Sequence, residues 1–219
     1  MRPRIRVTRS VIPNLFTAMN LFSGFLSIIN ASHGEYHYAA WLIIIAAIFD
    51  ALDGAVARLT KSSSELGVEL DSLSDIVSFG VAPAFLIYQT NLYSHNAMGI
   101  LIASSLVLAG GFRLARFNVQ LVGFDKDYFN GLPIPISAIT VSLFVLSFFD
   151  LHNGFSSPYD GIIIPMVLIL SYLMVSKIKY DTIPRPTKHD LKEKPFIFLL
   201  IIAGAIAAIA DSPRYPQTR

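Results

Sequence analysis

Apolar segments of about membrane-spanning length recur along this chain. A helix needs about 20 predominantly apolar residues to cross a bilayer core, and the chain is 53% hydrophobic with only 15% charged residues. Ordinary soluble domains carry about 25% charged residues. The pattern therefore predicts an all-α fold, a polytopic integral membrane helical bundle with about six to seven transmembrane helices.

The predicted spans divide the chain into three regions. Residues 1–12 are basic and are expected to lie as a short interfacial helix on an anionic lipid surface. Residues 13–176 form the transmembrane core, and residues 177–219 hold a basic linker, a last apolar segment and a tail. The predicted spans are residues 15–31, 38–59, 70–90, 97–117, a fifth that ends near 149, then 161–176 and 196–210.

The basic residues fall on one side of the predicted membrane. Alternating the spans places the N-terminus and the segments 58–69, 113–130 and 177–195 together, and these hold fifteen of the 17 Lys and Arg residues. The loops on the opposite side hold none. Because positively charged loops stay in the cytoplasm, we expect a multi-pass protein of the cell membrane in which residues 50–75 face the cytoplasm.

Four aspartates lie between two of the most apolar segments: Asp50, Asp53, Asp71 and Asp75. The first pair is three residues apart and the second pair four, so on helices each pair shares one face. An ionised side chain in a membrane segment costs about 2.5–3.5 kcal/mol even on a lenient scale, so four together require positive charge between them. Divalent cations prefer carboxylate oxygens, and the absence of cysteine excludes thiolate ligands. The sequence therefore predicts an oxygen-ligated metal site.

Small and polar residues border these carboxylates. Gly54 and Ala57 leave part of the helix surface bare, which fits either close helix packing or a flat ligand. Arg58 can pair with a phosphate through two hydrogen bonds or extend to the membrane interface. A hydroxyl of the turn before Gly67, such as that of Ser64, can cap the next helix or bind phosphate.

A polar stripe also runs along the first predicted span. Asn14, Thr17 and Asn20 recur every three residues, so they lie close to one another on a helix. Polar side chains in a span contact a substrate or form hydrogen bonds with other helices. The sequence favours neither interpretation.

The stretch from Asp50 to Asp75 resembles the signature of the CDP-alcohol phosphotransferase family. The signature reads Asp-x2-Asp-Gly-x2-Ala-Arg-x8-Gly-x3-Asp-x3-Asp, and residues 50–75 match every fixed position. Residues 12–17 are similar to the family's Pro-Asn element in the first span. Residues 113–118 and 129–135 resemble elements of the branch of the family that uses serine as its acceptor.

The resemblance implies an enzyme of phospholipid biosynthesis. Family members transfer a phosphatidyl group from a CDP-linked lipid to an alcohol and release CMP. By resemblance, the four aspartates hold two divalent cations, Mg²⁺ or Mn²⁺, and Asp75 is also the general base. The resemblance implies contacts with the CDP-lipid for Asn14, Thr17, Gly54, Ala57, Arg58, Ser64 and Gly67.

The acceptor site is predicted from charge. L-serine is a zwitterion, so its carboxylate needs a cation. Arg113 and Arg116 lie three residues apart at the end of the fourth span, and with Asn118, Gly131 and Pro133 they form the predicted serine site. The prolines before the fifth span could hold a rigid loop over the cytoplasmic mouth. The two arginines fit equally well as basic residues that mark the end of a span.

Several alternatives remain open at the level of sequence. A sibling enzyme would use glycerol phosphate or inositol phosphate as acceptor. CDP-diacylglycerol and the ether lipid CDP-archaeol are equally compatible donors, because their tails meet only apolar helix surface. A membrane cation transporter would also carry intramembrane carboxylates, but it predicts paired repeats, and none is evident. The resemblance suggests that the protein forms a homodimer. Membrane lipids are expected to surround it, and no nucleic-acid partner is expected.

Overall fold

The computed structural model describes residues 11–60, 65–122 and 129–180. These residues are mainly helical, because a backbone in lipid must satisfy its N–H and C=O groups internally. The predicted all-α class is confirmed. The helices in chain order are α1 (Val11–Ser32), α2 (Tyr36–Thr60), α3 (Glu65–Asp75), α4 (Ala82–Thr90), α5 (Asn96–Val122), α6 (Ile134–Phe148) and α7 (Tyr159–Val175).

Four helical segments are long and apolar enough to cross a membrane: Pro13–Ser32, Tyr36–Thr60, Leu66–Thr90 and Leu92–Val119. They coincide with the first four predicted spans. Helices α6 and α7 are shorter apolar helices at the positions of the fifth and sixth. Residues 1–10 of the predicted interfacial helix and the predicted last span lie outside the described residues.

The surface of the bundle is rich in large apolar side chains. Leu15, Phe22 and Phe25 are exposed on α1, and Leu101 and Leu108 are exposed on α5. Soluble monomers rarely expose apolar patches larger than a few hundred Å². A protein embedded in lipid has no such restriction, so these faces agree with the predicted membrane location.

The third span changes its helical geometry part way along. Helix α3 passes directly into a π-helical segment, Ile76–Val81, which passes directly into α4. Ser78, Phe79 and Gly80 of this segment are buried. A π turn bonds each N–H to the carbonyl five residues back and occurs often at functional sites. The wider turns begin immediately after Asp75, so the face presented by the helix shifts at that residue.

Helix α1 packs most extensively against α2 and also contacts all three parts of the third span. The contact with the π-helical segment depends on Gly24. A Cβ at this position would collide with the Oγ of Ser78 and would lie 2.6 Å from its Cα. Small residues allow membrane helices to approach closely, and here Gly24 brings α1 against the backbone of the third span.

Two pairs of very short antiparallel strands join the ends of the last helices. Strand β1 (Phe129–Asn130) pairs with β4 (Lys179–Tyr180), and β2 (Phe149–Asp150) pairs with β3 (Gly154–Phe155). The sequence predicts neither pair, because two-residue strands leave no measurable period. The β1–β4 pair ties the segment before α6 to the end of α7.

The close approach of α1 to the third span can be tested at Gly24. Gly24→Ala should destabilise the protein by about 1–3 kcal/mol, since overpacking a tight contact forces backbone shifts. The measurement is the apparent melting temperature in detergent. Gly161→Ala is the matched control, because a Cβ at Gly161 meets nothing within 4 Å. Equal melting temperatures for the two variants would contradict the packing described here.

Candidate active site

The two pairs of aspartates meet between α2 and α3. Asp50 and Asp53 lie in the second half of α2, and Asp71 and Asp75 lie at the end of α3. One carboxylate oxygen from each of Asp50, Asp53 and Asp71 lies within 4.8 Å of the others. Asp75 is close enough to interact electrostatically with Asp50 and Asp71. The structure thus brings together the four carboxylates that the sequence singled out.

The residues of this cluster fit an oxygen-ligated divalent cation. Asp53 and Asp75 are only 6% and 8% exposed, and like charges at such burial repel strongly unless positive charge compensates them. The Oδ1 atom of Asp71 is buried and has no hydrogen-bond partner among the described residues. All candidate ligands are carboxylates, which suit Mg²⁺, Mn²⁺ or Ca²⁺.

Helix α1 holds two of the carboxylates by hydrogen bonds. The Thr17 hydroxyl donates to Oδ2 of Asp53 at 2.9 Å, and Nδ2 of Asn20 donates to Oδ1 of Asp75 at 3.2 Å. Thr17 and Asn20 are buried, whereas Asn14, one turn earlier, is partly exposed. For Thr17 and Asn20, the polar stripe therefore forms bonds between helices.

Apart from Asn14 and Thr17 on α1, the described residues predicted to contact the CDP-lipid lie near the end of α2 and the start of α3. The Arg58 guanidinium lies beside Gly54, because a Cβ at that glycine would be 3.3 Å from Arg58 Nη1. Arg58 is exposed, and Ala57 and Gly67 are partly buried. Ser64 lies outside the described residues. The missing side chain at Gly54 gives the guanidinium its room beside the carboxylates.

Arg113 is a predicted serine contact that interacts with the aspartates. Its partly buried guanidinium interacts electrostatically with Asp75 and Asp50, and its Nε is buried without a hydrogen-bond partner in the described part of the chain. Asn118, farther along α5, exchanges hydrogen bonds with the Ser72 hydroxyl at 3.0 and 3.3 Å. Both side chains therefore connect α5 to the region of α3 that carries the carboxylates.

Arg116 faces a different part of the protein. Its guanidinium donates to the carbonyl oxygens of Val175 at 3.1 Å and of Met174 and Ser176 at 3.4 Å. Carbonyls in the last turn of a helix have no partner within the helix, so Arg116 caps the end of α7. The prediction that Arg116 also contacts serine stays a prediction.

Gly131 lies against the same helix end. Its φ of +89° belongs to the left-handed region that favours glycine. A Cβ at Gly131 would collide with the Met174 carbonyl and lie 2.8 Å from Arg116 Nη2. The Gly131 N–H also donates to the Ile178 carbonyl at 3.0 Å, and the partly buried Pro133 follows. This part of the predicted serine site is thus fixed to the end of α7.

Unsatisfied polar atoms are concentrated near the aspartates. Of five buried side-chain atoms without a partner in the described residues, three are Asn20 Oδ1, Asp71 Oδ1 and Arg113 Nε. Each such atom costs about 1–3 kcal/mol when nothing completes its hydrogen bonding. Their grouping around one cluster indicates a site whose ligands supply the missing partners.

Sequence reasoning missed three serines that support the site. Ser72 binds Asn118, and the hydroxyls of Ser74 and Ser78 donate to the backbone carbonyls of Thr17 and Asn20. A serine that bonds a distant backbone leaves no pattern in its own neighbourhood. The available signal was the recurrence of serine at positions 72, 74 and 78, close to Asp71 and Asp75 in the third span.

Comparisons with known proteins converge on one family. A family model described as CDP-alcohol phosphatidyltransferase matches residues 10–176. The CDP-diacylglycerol–serine O-phosphatidyltransferase of Helicobacter pylori is 37% identical over 196 residues, covering 90% of this chain and 81% of the relative. The enzyme of that name from Bacillus subtilis is 36% identical over 182 residues, covering 83% and 96%.

An archaeal relative carries a related name. The archaetidylserine synthase of Methanothermobacter thermautotrophicus is 41% identical over 174 residues, which cover 78% of this chain and 70% of the relative. The matches therefore extend well beyond residues 50–75.

Metal binding by the aspartate cluster can be tested without any substrate. Asp71→Asn should weaken Mn²⁺ binding more than about 10-fold, since even residues that only support a metal ligand contribute about 10- to 100-fold to affinity. Calorimetric titration of the purified protein measures this affinity. Asp160→Asn removes an exposed carboxylate at the start of α7 and should leave it unchanged. Equal Mn²⁺ affinities in the two variants would exclude Asp71 as a ligand.

Proposed function

Because this chain belongs to the CDP-alcohol phosphatidyltransferase family, we propose that it is a membrane enzyme that makes a serine phospholipid. It transfers a phosphatidyl group from a CDP-linked lipid to the hydroxyl of L-serine and releases CMP. The observation that carries this proposal is the convergence of the four signature aspartates between α2 and α3. The names of the relatives support serine as the acceptor.

We propose that Asp50, Asp53, Asp71 and Asp75 hold two divalent cations, Mg²⁺ or Mn²⁺. The oxygen-only ligand set and the unpartnered Oδ1 of Asp71 support this assignment. Bound ions would neutralise the diphosphate oxygens and orient the CMP leaving group. The carboxylates keep their separation because they project from two helices that α1 holds together.

Asp75 is proposed as the general base. The serine hydroxyl attacks the phosphorus that carries the lipid, its proton passes to Asp75, and the bond from that phosphorus to the CMP oxygen breaks with its electron pair. A positioned carboxylate can accept a proton in such a step. Asn20 donates to Oδ1 of Asp75, and we assign the other oxygen, Oδ2, as the one that receives the proton.

The donor is proposed to lie over the end of α2 and the start of α3. Arg58, exposed beside Gly54, pairs with the diphosphate through its planar fork of donors. Thr17 acts on this site through its hydrogen bond to Asp53. The remaining proposed contacts with the donor are Asn14, Ala57, Ser64 and Gly67. The name of the archaeal relative supports CDP-archaeol beside CDP-diacylglycerol as a donor.

Arg113 is proposed to bind the serine carboxylate. Its position beside Asp75 would bring the serine hydroxyl to the base, and its unpartnered Nε can donate to a carboxylate oxygen. Arg116, Asn118, Gly131 and Pro133 complete the proposed pocket. Their contacts with α7 and Ser72 support a rigid wall behind the arginine.

We further propose that the site opens to the cytoplasm and that the protein is a homodimer. The first rests on the fifteen basic residues that the alternating spans place on that side. The second rests on the family resemblance.

A transfer assay on the purified protein tests the proposed function. CDP-diacylglycerol is supplied with labelled serine, glycerol phosphate or inositol phosphate, with and without a chelator. We expect CMP release with serine, loss of transfer on chelation and recovery with Mg²⁺ or Mn²⁺, because hard cations suit the aspartate cluster. Transfer to another alcohol in place of serine would overturn the acceptor, and full activity in excess chelator would overturn the metal requirement.

The role of Arg113 is tested by a substitution that keeps its charge. Arg113→Lys should raise the serine KM about 10- to 150-fold with little change in the KM for CDP-diacylglycerol, because a lost charge-assisted bond costs about 1.5–3 kcal/mol. Lysine cannot replace the planar fork. Lys177→Ala, which removes an exposed cation after α7, is the control and should leave both KM values unchanged. Normal serine kinetics in Arg113→Lys would move the carboxylate site elsewhere.

A further inference from the structure

Helix α1 is bonded to the third span by two buried hydroxyls that lie one turn apart. The Oγ of Ser74 donates to the Thr17 carbonyl at 3.1 Å, and the Oγ of Ser78 donates to the Asn20 carbonyl at 2.9 Å. All four residues are buried. These bonds fix both the distance between the two segments and the offset of one segment relative to the other along their helix axes.

Thr17 and Asn20 each form two hydrogen bonds with other helical segments. Their backbone carbonyls accept hydrogen bonds from serines of the third span, and their side chains donate hydrogen bonds to Asp53 and Asp75, respectively. The orientation of the Asn20 amide follows from chemistry, because an ionised carboxylate only accepts and so faces the NH₂ group. The contact of α1 with the third span and the orientation of the carboxylates are therefore set by the same two residues.

Gly24 and the π-helical segment make this arrangement possible. Ser78 belongs to Ile76–Val81, which begins directly after Asp75, and Gly24 leaves space for Ser78 against α1. A larger residue at position 24 would push α1 away from the third span. Since Asn20 lies one turn before Gly24, such a shift would also pull its amide away from Asp75.

We propose that Asn20 is a positioning residue for Asp75, and that Ser78 and Gly24 fix the position of α1 at which the Asn20 amide reaches the Asp75 carboxylate. The inference rests on the proposed role of Asp75 as the base. A catalytic side chain must be held within about 0.5 Å of its productive position. With Oδ1 bound to a buried amide, Asp75 presents its other oxygen to the substrate in one orientation.

The competing explanation is that these bonds only stabilise the bundle, and the chain offers a matched comparison. The Ser27 hydroxyl on α1 donates to the Ala39 carbonyl at 2.8 Å and is fully buried. This is the same kind of bond as that of Ser78, but it joins α1 to α2 and involves no residue that binds a carboxylate of the site. Ser27→Ala and Ser78→Ala therefore differ mainly in their connection to Asp75.

The experiment compares Asn20→Ala, Ser78→Ala, Ser27→Ala and Asp75→Asn as purified full-length proteins. Steady-state transfer gives kcat and both KM values, a thermal shift gives stability, and a titration gives CDP-diacylglycerol binding. We expect Asn20→Ala to lower kcat about 10- to 100-fold, since small misplacements of a reacting group cost up to about 100-fold. Its affinity for CDP-diacylglycerol should stay within about twofold of the wild type, because Asn20 bonds only Asp75 and the other three proposed cation ligands, Asp50, Asp53 and Asp71, keep their positions while the chemical step is impaired.

The serine pair keeps the test decisive if Asn20→Ala fails to fold. Ser78→Ala and Ser27→Ala should lose similar stability, but only Ser78→Ala should lower kcat, by about 3- to 10-fold, the value of one hydrogen bond. Equal kcat values in these two variants would overturn the inference, as would a normal kcat in Asn20→Ala. An inactive Asp75→Asn beside these results would leave the proposed base intact. An active Asp75→Asn would overturn the proposed base together with the inference.

Discussion

Four carboxylates grouped among membrane helices, two of them buried and two partly buried, are the constraint on which the rest of this structure depends. Asp53 and Asp75 are almost inaccessible to solvent, and burial in a medium of low polarity makes an uncompensated anion costly. Three features of the surroundings compensate this negative charge. Thr17 and Asn20 donate hydrogen bonds, Arg113 supplies positive charge, and the grouped oxygens form a site that a divalent cation can occupy. The same contacts therefore stabilise the bundle and arrange the groups of the proposed reaction.

Close helix packing makes these compensating contacts possible. Hydroxyl donors reach a backbone carbonyl of another helix only where the two backbones approach closely, and Gly24 permits that approach between α1 and the third span. In lipid, packing and interhelical hydrogen bonds drive association because apolar surface gains little by leaving lipid. The polar contacts of Ser74 and Ser78 thus contribute to the assembly of the bundle as well as to the geometry of the site.

The sequence predicted the features that depend on local spacing. The lengths of the apolar runs predicted the spans, and the offsets of the aspartates predicted that each pair shares a helix face, after which the resemblance indicated the family. The sequence did not predict the contacts of Arg116 and Ser78. Arg113 and Arg116 have the same spacing and charge, yet one lies beside Asp75 and the other caps α7. That difference arises from the tertiary placement of α7, which no short-range pattern encodes.

The separation of the two arginines also bears on how an acceptor could enter among so many anions. Arg113 interacts with Asp50 and Asp75, so its charge helps to compensate the carboxylates themselves. Divalent cations, when bound, would supply that compensation in its place and leave the guanidinium available to a substrate carboxylate. Arg116 is bonded instead to carbonyls at the end of α7. On the proposed roles of these residues, the acceptor site would become competent only after the cations bind, which would favour binding of the CDP-lipid and its cations before serine.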